Sequence, residues 1–541
     1  MIDLECLSYG VGHADEGVCL LVRLGPYRVL LDCGLENLTP LLHDLQRSTP
    51  IDLVLCTHAH PDHARGLLDL HEAFPQLPIY ASEVTTQLLP LNWLDQVVPT
   101  FCHALPWRTP VEFRDGLSAE LIPAGHLPGA AALLLTYTTE QRSHTIFYTG
   151  DFFLSNSRLV DGLPLGELRS LKPDILILEG TYGTARYPHR RQQENQLAER
   201  INRAIAEGRS VLLPAPTLGL GQELLMLLRS HHHFTGRPID IWVDSAIAAG
   251  CDAYLDLLSH FPSSVQNFAR HQALFWDDRI RPHVRRLKPD IDLKHPCIVL
   301  TQENADLLRN LPDSSWQILL AQQPGRGDRM AAYEKWQTDR VAIDTYLLSE
   351  HCDGPSTTQL IHNLRPQHVI FIHGAPTYLS DLTSLEELHN RYHLHTPSAG
   401  MQVELPVGEV FIQPAAPDAH YEGELTELET TVMITLPEAL TADSRWQHFA
   451  DTGVVEARWQ GDELVLRGLP QRELLSRIHD TSTPIALECC ETCRHCRSQR
   501  CWNQASPLYG FKVTPEGYCP AFEAIEPSDE PSDEPADESA G

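Results

Sequence analysis

The feature that most constrains this 541-residue chain is the segment LCTHAHPDHARG at residues 55–66, which continues an apolar run. It holds three histidines and one aspartate within six residues, namely His58, His60, Asp62 and His63. In an extended backbone, residues two apart point the same way, so His58 and His60 can present their imidazoles to one point. The turn that follows can bring Asp62 and His63 to a second point nearby. Imidazole and carboxylate suit zinc, manganese or iron, so the segment predicts a metal site, the alternative being a polar loop with fortuitous histidines.

Strands and helices alternate through residues 1–180, which indicates an α/β domain. The segments VCLLVRL and YRVLLDCG predict a hairpin, and TTQLLPLNWLDQVV predicts a helix. Several strand-like segments end on polar residues, and strand ends are where a rigid sheet presents chemistry. Three further ligand-type side chains lie at such ends, namely His126, Asp151 and His373. Asp151 suits a bridging position because a carboxylate has two oxygens, whereas a single histidine at a strand end is more often structural.

With Asp32 in LLDCG before it and His126 and Asp151 after it, the HAHPDH motif resembles that of the metallo-β-lactamase fold superfamily. This resemblance implies an αββα sandwich with a metal site at one edge. It implies that one metal is bound by His58, His60 and His126, that the second is bound by Asp62, His63 and His373, and that Asp151 bridges them. The implied ions are two Zn(II), with Mn or Fe as alternatives. Asp32 would orient ligands through hydrogen bonds, or would merely form the turn before Cys33.

Three later positions narrow the branch of the superfamily: Glu179 in ILILEGTYG, His351 in LLSEHCDGPS and His373 in VIFIHGAP. Together with the large α/β block between Glu179 and His351, they resemble the β-CASP group, which acts on nucleic acids. His373 and the segment 349–376 are similar to the RNA-processing members, such as ribonuclease J and the cleavage and polyadenylation endonuclease. The resemblance implies a ribonuclease that hydrolyses RNA phosphodiester bonds at a dinuclear metal site, with RNA as its partner.

Hydrolysis of a phosphodiester needs a nucleophile, neutralisation of charge and a proton for the leaving oxygen. Two metals about 3.5–4 Å apart can clamp the phosphate and activate a water, which Asp62 could orient. His351 is the candidate general acid, because imidazole titrates near neutrality. Glu179 would keep His351 protonated, since a nearby carboxylate raises a histidine pKa. The alternatives are a capping carboxylate for Glu179 and a satisfied loop histidine for His351.

Three departures from the β-CASP pattern weaken the nuclease interpretation. Leu220 stands where relatives often carry an arginine, PCIVLTQENADLLRN replaces a Gly/Met-rich loop, and the formal net charge is −31. Candidate compensating residues are Arg279, Arg281, Arg285, Arg286, Lys288, Arg190 and Arg191, although a charge run is usually a solvated face. Two other functions stay open: a hydrolase of another phosphoester or of a small ester or thioester, and a catalytically quiet RNA- or protein-binding partner.

Six cysteines lie within residues 489–519. Cys490 and Cys493 have the spacing of a metal knuckle, and Cys501 and Cys519 can complete a four-thiolate zinc site. Cys490, Cys493 and Cys496 with the distant Cys519 also resemble a ferredoxin-like run, so a [4Fe–4S] cluster is the rival interpretation. A disulfide-bonded or unliganded cluster is the third.

A chain of this length is too long for one ordinary core, so several domains are expected. The predicted segments are a metallo-β-lactamase domain in two parts (1–190 and 345–415), a β-CASP-like insertion (191–344), a small α/β segment (416–484), a Cys-rich metal-binding segment (485–522) and an acidic disordered tail (523–541). The segment 416–484 could support a homo-oligomer or contact a protein partner. No apolar run approaches the roughly 18 residues of a membrane span, and the start MIDLECLSYG lacks the basic and apolar regions of a signal peptide. We therefore expect a cytoplasmic protein without membrane contact.

Overall fold

A computed structural model of the chain describes residues 4–13, 16–47, 50–277, 279–288, 293, 296–302, 314–322, 333 and 336–408, together with 425–428, 431–434, 455–460, 463–468, 493–497 and 500–503. The chain forms two compact units, Met1–Pro417 and Asp418–Gly541. Across the described ranges, no helix has the length and apolar character needed to cross a membrane.

Two seven-stranded sheets form the larger part of the first unit. The strands of the first sheet are β1 (Leu4–Val11), β2 (Val18–Leu24), β3 (Tyr27–Leu31), β4 (Leu53–Leu55), β5 (Ile79–Ser82), β6 (Cys102–Leu105) and β20 (Gln402–Glu404). Those of the second are β7 (Val111–Arg114), β8 (Leu117–Pro123), β9 (Ala131–Thr138), β10 (Ser143–Tyr148), β11 (Ile175–Glu179), β18 (His368–Ile372) and β19 (His393–His395). The spatial orders are β20-β1-β2-β3-β4-β5-β6 and β19-β18-β11-β10-β9-β8-β7. The predicted hairpin of β2 and β3 is confirmed by their antiparallel pairing.

The two sheets pack face to face, and helices cover their outer faces. Alternate residues of β2 divide between two cores, because side chains along a strand point to opposite faces. Leu20 and Val22 share a core with Leu133 of β9, whereas Cys19 and Leu21 pack in the core that contains helix residues such as Leu67. The predicted αββα sandwich is confirmed by this arrangement.

Helices of the first unit occupy the outer layers and the connections between strands. They are α1 (Thr39–Arg47), α2 (Pro61–Ala64), α3 (Leu67–Ala73), α4 (Glu83–Leu88), α5 (Leu165–Leu168), α6 (Arg190–Ala206), α7 (Leu220–Ser230), α8 (Ser245–Asp256), α9 (Ser263–His271), α10 (Gly354–Leu364), α11 (Pro376–Ser384) and α12 (Glu386–His389). The prediction of one helix through TTQLLPLNWLDQVV is wrong. Helix α4 ends at Leu88, a 3₁₀ turn follows over Leu89–Asn92, and Pro90 within it has no backbone N–H with which to continue an α-helix.

A third, six-stranded sheet lies between the two halves of the sandwich in the sequence. Its strands are β12 (Ser210–Pro214), β13 (Asp240–Val243), β14 (His283–Arg286), β15 (Ile298–Thr301), β16 (Trp316–Ala321) and β17 (Val341–Tyr346). They are all parallel, in the order β14-β13-β15-β12-β16-β17. The carboxyl ends of parallel strands meet at one edge of a sheet, so the loops that follow β12 and β17 leave from the same edge.

Three short antiparallel pairs are described in the second unit. They are β21 (Leu425–Leu428) with β22 (Thr431–Ile434), β23 (Val455–Gln460) with β24 (Glu463–Gly468), and β25 (Cys496–Arg497) with β26 (Arg500–Cys501). Most of the predicted α/β segment 416–484, and all of the predicted tail 523–541, lie outside the described residues. The predicted boundaries of the six segments therefore stay predictions.

Candidate metal centre and active site

The HAHPDH segment begins in the connection after β4 and ends inside α2, and it has the conformation that its sequence predicts. His60 has an extended backbone, with φ −67° and ψ 146°, and Pro61 starts α2. Proline suits this first helical position because its missing N–H has no partner there in any helix. The extended backbone at His60 is followed directly by α2, which carries Asp62 and His63 in its first turn.

Three histidines and one aspartate converge into a first ligand set: His58, His60, His126 and Asp151. The His60 Nδ1 atom lies 3.2 Å from His58 Nε2 and 3.1 Å from His126 Nε2. Asp151 Oδ2 lies 3.6 Å from His58 Nε2 and 3.7 Å from His126 Nε2. Ligand nitrogens about 2.0–2.1 Å from a tetrahedral zinc lie roughly 3.4 Å from one another. These separations fit one metal ion.

A second candidate ligand set, formed by Asp62, His63 and His373, lies beside the first, and the Asp151 carboxylate lies next to it. Asp62 Oδ2 lies 3.3 Å from His373 Nε2, and Asp151 Oδ1 lies 3.3 Å from His63 Nε2. Both His63 Nε2 and Asp151 Oδ1 are buried without a hydrogen-bond partner. Buried polar atoms of this kind are costly unless a ligand satisfies them. The donor set therefore fits divalent metal ions, of which zinc is typical for such His/Asp ligands.

Five residues of the site lie at the carboxyl ends of neighbouring parallel strands. Asp151, Glu179 and His373 follow or end β10, β11 and β18, which are adjacent and parallel. Asp32 and His58 follow β3 and β4, which are also adjacent and parallel. Residues remote in the sequence meet at one edge because the sheets place these strand ends together.

Burial and neighbouring charges set the protonation of these ligands. Burial lowers the pKa of His58 and of His126 well below the usual value, which leaves both imidazoles neutral and able to bind a metal. Burial also opposes ionisation of Asp151, but His373 and His63 outweigh it and hold the carboxyl pKa well below its ordinary range. For His63, burial is outweighed by the Asp151 and Asp32 carboxylates, so the pKa is raised well above the usual value.

Asp32 lies beneath the ligands as a hydrogen-bond acceptor. It adopts a positive φ of 56°, and it accepts bonds from His63 Nδ1 at 2.8 Å, Thr57 N at 2.7 Å and Tyr148 Oη at 2.6 Å. Thr57 Oγ1 also lies 3.0 Å from His58 Nδ1. Sequence reasoning found Asp32 but missed Thr57 and Tyr148. The position of Thr57 directly before the motif was the available signal, and Tyr148 offered none.

Two backbone carbonyls complete the support of the histidines. His60 Nε2 lies 3.4 Å from the carbonyl oxygen of Leu218, and His126 Nδ1 lies 2.9 Å from that of Glu350. Gly219 follows with a positive φ of 87°, and a Cβ there would lie 3.4 Å from His60 Nε2. Glycine is therefore favoured by the backbone conformation. Sequence reasoning missed both carbonyls, because any residue type supplies such an acceptor.

Glu179 and His351 form an ion pair at the rim of the ligand cluster. His351 Nδ1 donates to Glu179 Oε1 at 2.9 Å, and the side chains are 17% and 2% exposed. Glu179 also accepts from Phe152 N at 3.0 Å and from Thr181 Oγ1, which in turn lies 2.9 Å from His373 Nδ1. Burial alone would lower the pKa of His351, but the carboxylates of Glu179, Asp151 and Glu350 outweigh it, with Glu179 the largest contributor, and the pKa rises to about 9. The imidazole is thus held protonated beside the candidate metal ligands.

Most of the basic residues predicted as phosphate contacts already form ion pairs with carboxylates of the protein. The suggestion for Arg190 is wrong, because it is 7% exposed and bonds to Glu223 Oε2 at 3.1 Å and to the carbonyl of Ser349. In the later run, three arginines pair with aspartates: Arg279 with Asp277, Arg285 with Asp240 and Arg286 with Asp252. Leu220 is buried at the start of α7.

Three of the five predicted cluster cysteines are described. Cys496 N donates to the Cys493 carbonyl at 3.1 Å, which forms a tight turn, and Cys496 and Cys501 face each other across β25 and β26. Cys493 and Cys501 are buried. Cys490 and Cys519 lie outside the described residues, so the ligand set of this cluster stays a prediction.

Two family models match the chain. The model of a beta-lactamase superfamily domain matches residues 27–212. The model of a Zn-dependent metallo-hydrolase RNA specificity domain matches residues 340–397, which include the predicted specificity segment 349–376.

Several curated proteins are similar to the chain. An uncharacterized protein of Synechocystis sp., sll0514, is 50% identical over 544 residues, which cover 97% of this chain and 98% of the relative. Ribonuclease TTHA0252 of Thermus thermophilus is 30% identical over 287 residues, covering 49% of this chain and 63% of the relative. The cleavage and polyadenylation specificity factor 73 of Drosophila melanogaster is 25% identical over 438 residues, covering 70% and 61%. The alignments thus span less than two thirds of these two named relatives.

Proposed function

This chain belongs to the metallo-β-lactamase superfamily, in its RNA-processing β-CASP group, and from that membership we propose that it is a metal-dependent hydrolase that cleaves RNA phosphodiester bonds. The observation that carries the proposal is the convergence of two metal-ligand sets on Asp151, with the His351–Glu179 ion pair beside them. A nucleophile, a charge-neutralising site and a proton donor are the three requirements of phosphodiester hydrolysis, and this arrangement offers a candidate for each.

The two ligand sets would hold two zinc ions, with manganese or iron as the alternatives. Divalent ions there would neutralise the phosphate charge and supply an activated water. Asp62, with its carboxylate at the edge of the second set, would orient that water. Asp151 would keep the two ions adjacent by offering one oxygen to each ligand set.

His351 would protonate the leaving oxygen as the general acid. Its Nδ1 atom is bonded to the buried Glu179, and the His351 side chain is partly exposed, so Nε2 is the atom that would carry the transferred proton. With a pKa raised to about 9 by the Glu179 carboxylate against the effect of burial, the imidazole is protonated at neutral pH. Glu179 thereby maintains the acid without contacting the substrate.

A small phosphoester, ester or thioester is the second candidate substrate class. It is favoured by the buried Leu220 and by the ion-paired arginines of the run that begins at Arg279, since neither offers an unpaired cation to a polyanion. A catalytically quiet binding protein is disfavoured, because a non-catalytic chain has no need of both ligand sets and an acid pair.

The experiment compares hydrolysis of labelled RNA, labelled DNA, bis(p-nitrophenyl) phosphate and a simple thioester by the zinc-loaded chain and by His351→Ala. We expect RNA to be the preferred substrate, and His351→Ala to lower kcat on RNA by about 10²–10⁴-fold, the range for loss of a general acid. Preference for the thioester would support the second candidate instead. No turnover of any substrate by the metal-loaded chain would refute the hydrolase proposal.

For the cysteine cluster we propose one further zinc ion, with a [4Fe–4S] cluster as the rival. The tight turn at Cys493 and the facing pair Cys496 and Cys501 are the contacts that support a thiolate site. Metal analysis and a visible absorption spectrum of anaerobically purified protein separate the two, because zinc thiolates do not absorb visible light. A cytoplasmic location, and a role of 416–484 in oligomer or partner contacts, stay predictions.

A further inference from the structure

Two buried side chains of helix α6 form hydrogen bonds with Ser349, two residues before His351. Gln193 Oε1 accepts from Ser349 N at 2.8 Å and from Ser349 Oγ at 2.9 Å. From the opposite side, Arg190 Nη1 donates to the carbonyl oxygen of Ser349. Every polar atom of Ser349 is therefore bonded to one turn of a single helix.

The Arg190 side chain is itself fixed by an ion pair with a buried carboxylate. Arg190 Nη2 donates to Glu223 Oε2 at 3.1 Å. The Glu223 carboxylate also accepts from Ser157 Oγ at 2.7 Å and from Arg158 N and Leu159 N at 3.0 Å each. This single carboxylate therefore joins α6, α7 and the loop 157–159, and Arg190 has little freedom to move.

These hydrogen bonds to Ser349 fix the chain next to two groups of the candidate active site. The carbonyl of Glu350 receives the bond from His126, and His351 pairs with Glu179. On the far side, Asp353 caps helix α10 through Ser356 N at 3.1 Å. The segment 349–353 is thus fixed at both ends, and its amino-terminal anchor is supplied by the inserted α/β block.

We propose that Arg190 and Gln193 are positioning residues that keep the imidazole of His351 aligned with the leaving oxygen of the substrate. This inference rests on the proposed RNA hydrolysis and names residues that neither contact a substrate nor bind a metal. Proton transfer needs the donor within about 2.6–3.2 Å of its acceptor, and misplacement by about 1 Å can cost roughly 10²-fold in rate. Release of Ser349 therefore harms the proton-transfer step before it harms binding.

The test exploits leaving groups that differ in their need for a proton. An RNA leaving alkoxide needs the general acid, whereas p-nitrophenolate is stable enough to leave without one. We expect Arg190→Ala and Gln193→Ala to lower kcat on RNA by about 10–100-fold, with KM within about threefold. With zinc in excess, kcat on bis(p-nitrophenyl) phosphate should stay within about threefold and metal content should equal that of the wild type, because all four residues of the first ligand set remain even where the bond between Glu350 and His126 is weakened. Arg190→Lys, which keeps one donor, should lie between wild type and Arg190→Ala.

The matched control is Arg200→Ala on the same helix. Arg200 also bonds to a carboxylate, Asp344 at 3.2 Å, and to a backbone carbonyl, that of Thr345, but it lies ten residues, or about 15 Å of helix, beyond Arg190. It should leave both activities unchanged. Equal losses on RNA and on the activated diester for both Arg190→Ala and Gln193→Ala would overturn the inference, because they indicate a general structural defect.

The outcome separates the inference from the function on which it rests. If wild type cleaves RNA and His351→Ala does not, but both α6 variants behave like Arg200→Ala, the inference alone fails. If wild type cleaves no RNA, the proposed function fails and the positioning role fails with it.

Discussion

Replacement of Glu179 by glutamine tests how the acid is kept protonated. The carboxylate lies 2.9 Å from His351 Nδ1 and is itself 2% exposed, so little water screens the pair. Glutamine keeps the size and one acceptor oxygen but removes the charge. The carboxylate also serves Phe152 and Thr181, so the amide leaves a donor poorly matched and should lower stability by about 1–3 kcal/mol. The prediction therefore concerns the position of a pH limb, which stability does not set.

The sign and size of the shift follow from the contact. The protonated imidazole is the active acid, so kcat on RNA falls as the pH rises through the pKa of His351, which Glu179 raises to about 9 against the effect of burial. Loss of an adjacent opposite charge changes a pKa by about 1–3 units, so the alkaline limb of Glu179→Gln should move down by that amount. At pH 7 a fall from about 9 to about 6 reduces the protonated fraction from roughly 99% to roughly 10%. Divalent ions in the two ligand sets would lower the pKa of His351 in both proteins, so both alkaline limbs would lie at lower pH while their separation of about 1–3 units stays the same.

The assay is the pH dependence of kcat on labelled RNA, at saturating zinc, for wild type and Glu179→Gln. Glu167→Gln is the control, because Glu167 forms an exposed ion pair with Arg108; its alkaline limb should match that of the wild type. Coincident limbs for wild type and Glu179→Gln would show that this carboxylate does not set the protonation of the acid. A limb displaced to higher pH would contradict the sign of the argument.

Three further predictions concern the metal ligands. Chelation of the metals should lower the Tm measured by calorimetry and abolish hydrolysis, because His63 Nε2 and Asp151 Oδ1 are buried without protein hydrogen bonds; an unchanged Tm would argue against a metal between them. Asp32→Asn should weaken zinc binding by about 10–100-fold in a competition titration, the usual effect of losing a partner that orients a ligand. Zinc affinity should fall as the pH falls below the pKa of His63, which the carboxylates of Asp151 and Asp32 raise well above the usual value against the effect of burial, because binding must then displace the proton; a pH-independent affinity would contradict this.

The αββα fold and the meeting of the ligands could be predicted because they depend on local patterns and on sheet geometry. The period-2 alternation of β2 divides Leu20 and Leu21 between two cores. The ligand-type residues after β10 and β18 needed only the rule that parallel strands present their carboxyl ends together. The spacing of His58 and His60 carried the rest, since an extended backbone fixes their relative direction.

Other features could not be predicted from residue type alone. A sequence does not show whether an arginine is exposed or buried in an ion pair. The charge of Arg190 therefore indicated a phosphate contact, whereas its guanidinium bonds to Glu223. The end of α4 at Leu88 was missed because a helix was predicted to continue through Pro90. The acceptors for His60 and His126 are the backbone carbonyls of Leu218 and Glu350. Every residue has a backbone carbonyl, so the residue type does not predict such a contact.

These carbonyls show why the insertion matters to the chemistry. Leu218 lies in the loop that follows β12 of the inserted sheet, and Ser349 is gripped by α6, which precedes that strand. One set of contacts orients a metal-ligand imidazole and the other anchors the segment of the candidate acid. A rearrangement of the inserted block would therefore disturb the first ligand set and the acid together. If the block merely covered the cleft, changes in α6 would alter substrate binding and therefore KM alone. A fall in kcat with little change in KM in the α6 variants would instead identify the block as a structural part of the active site.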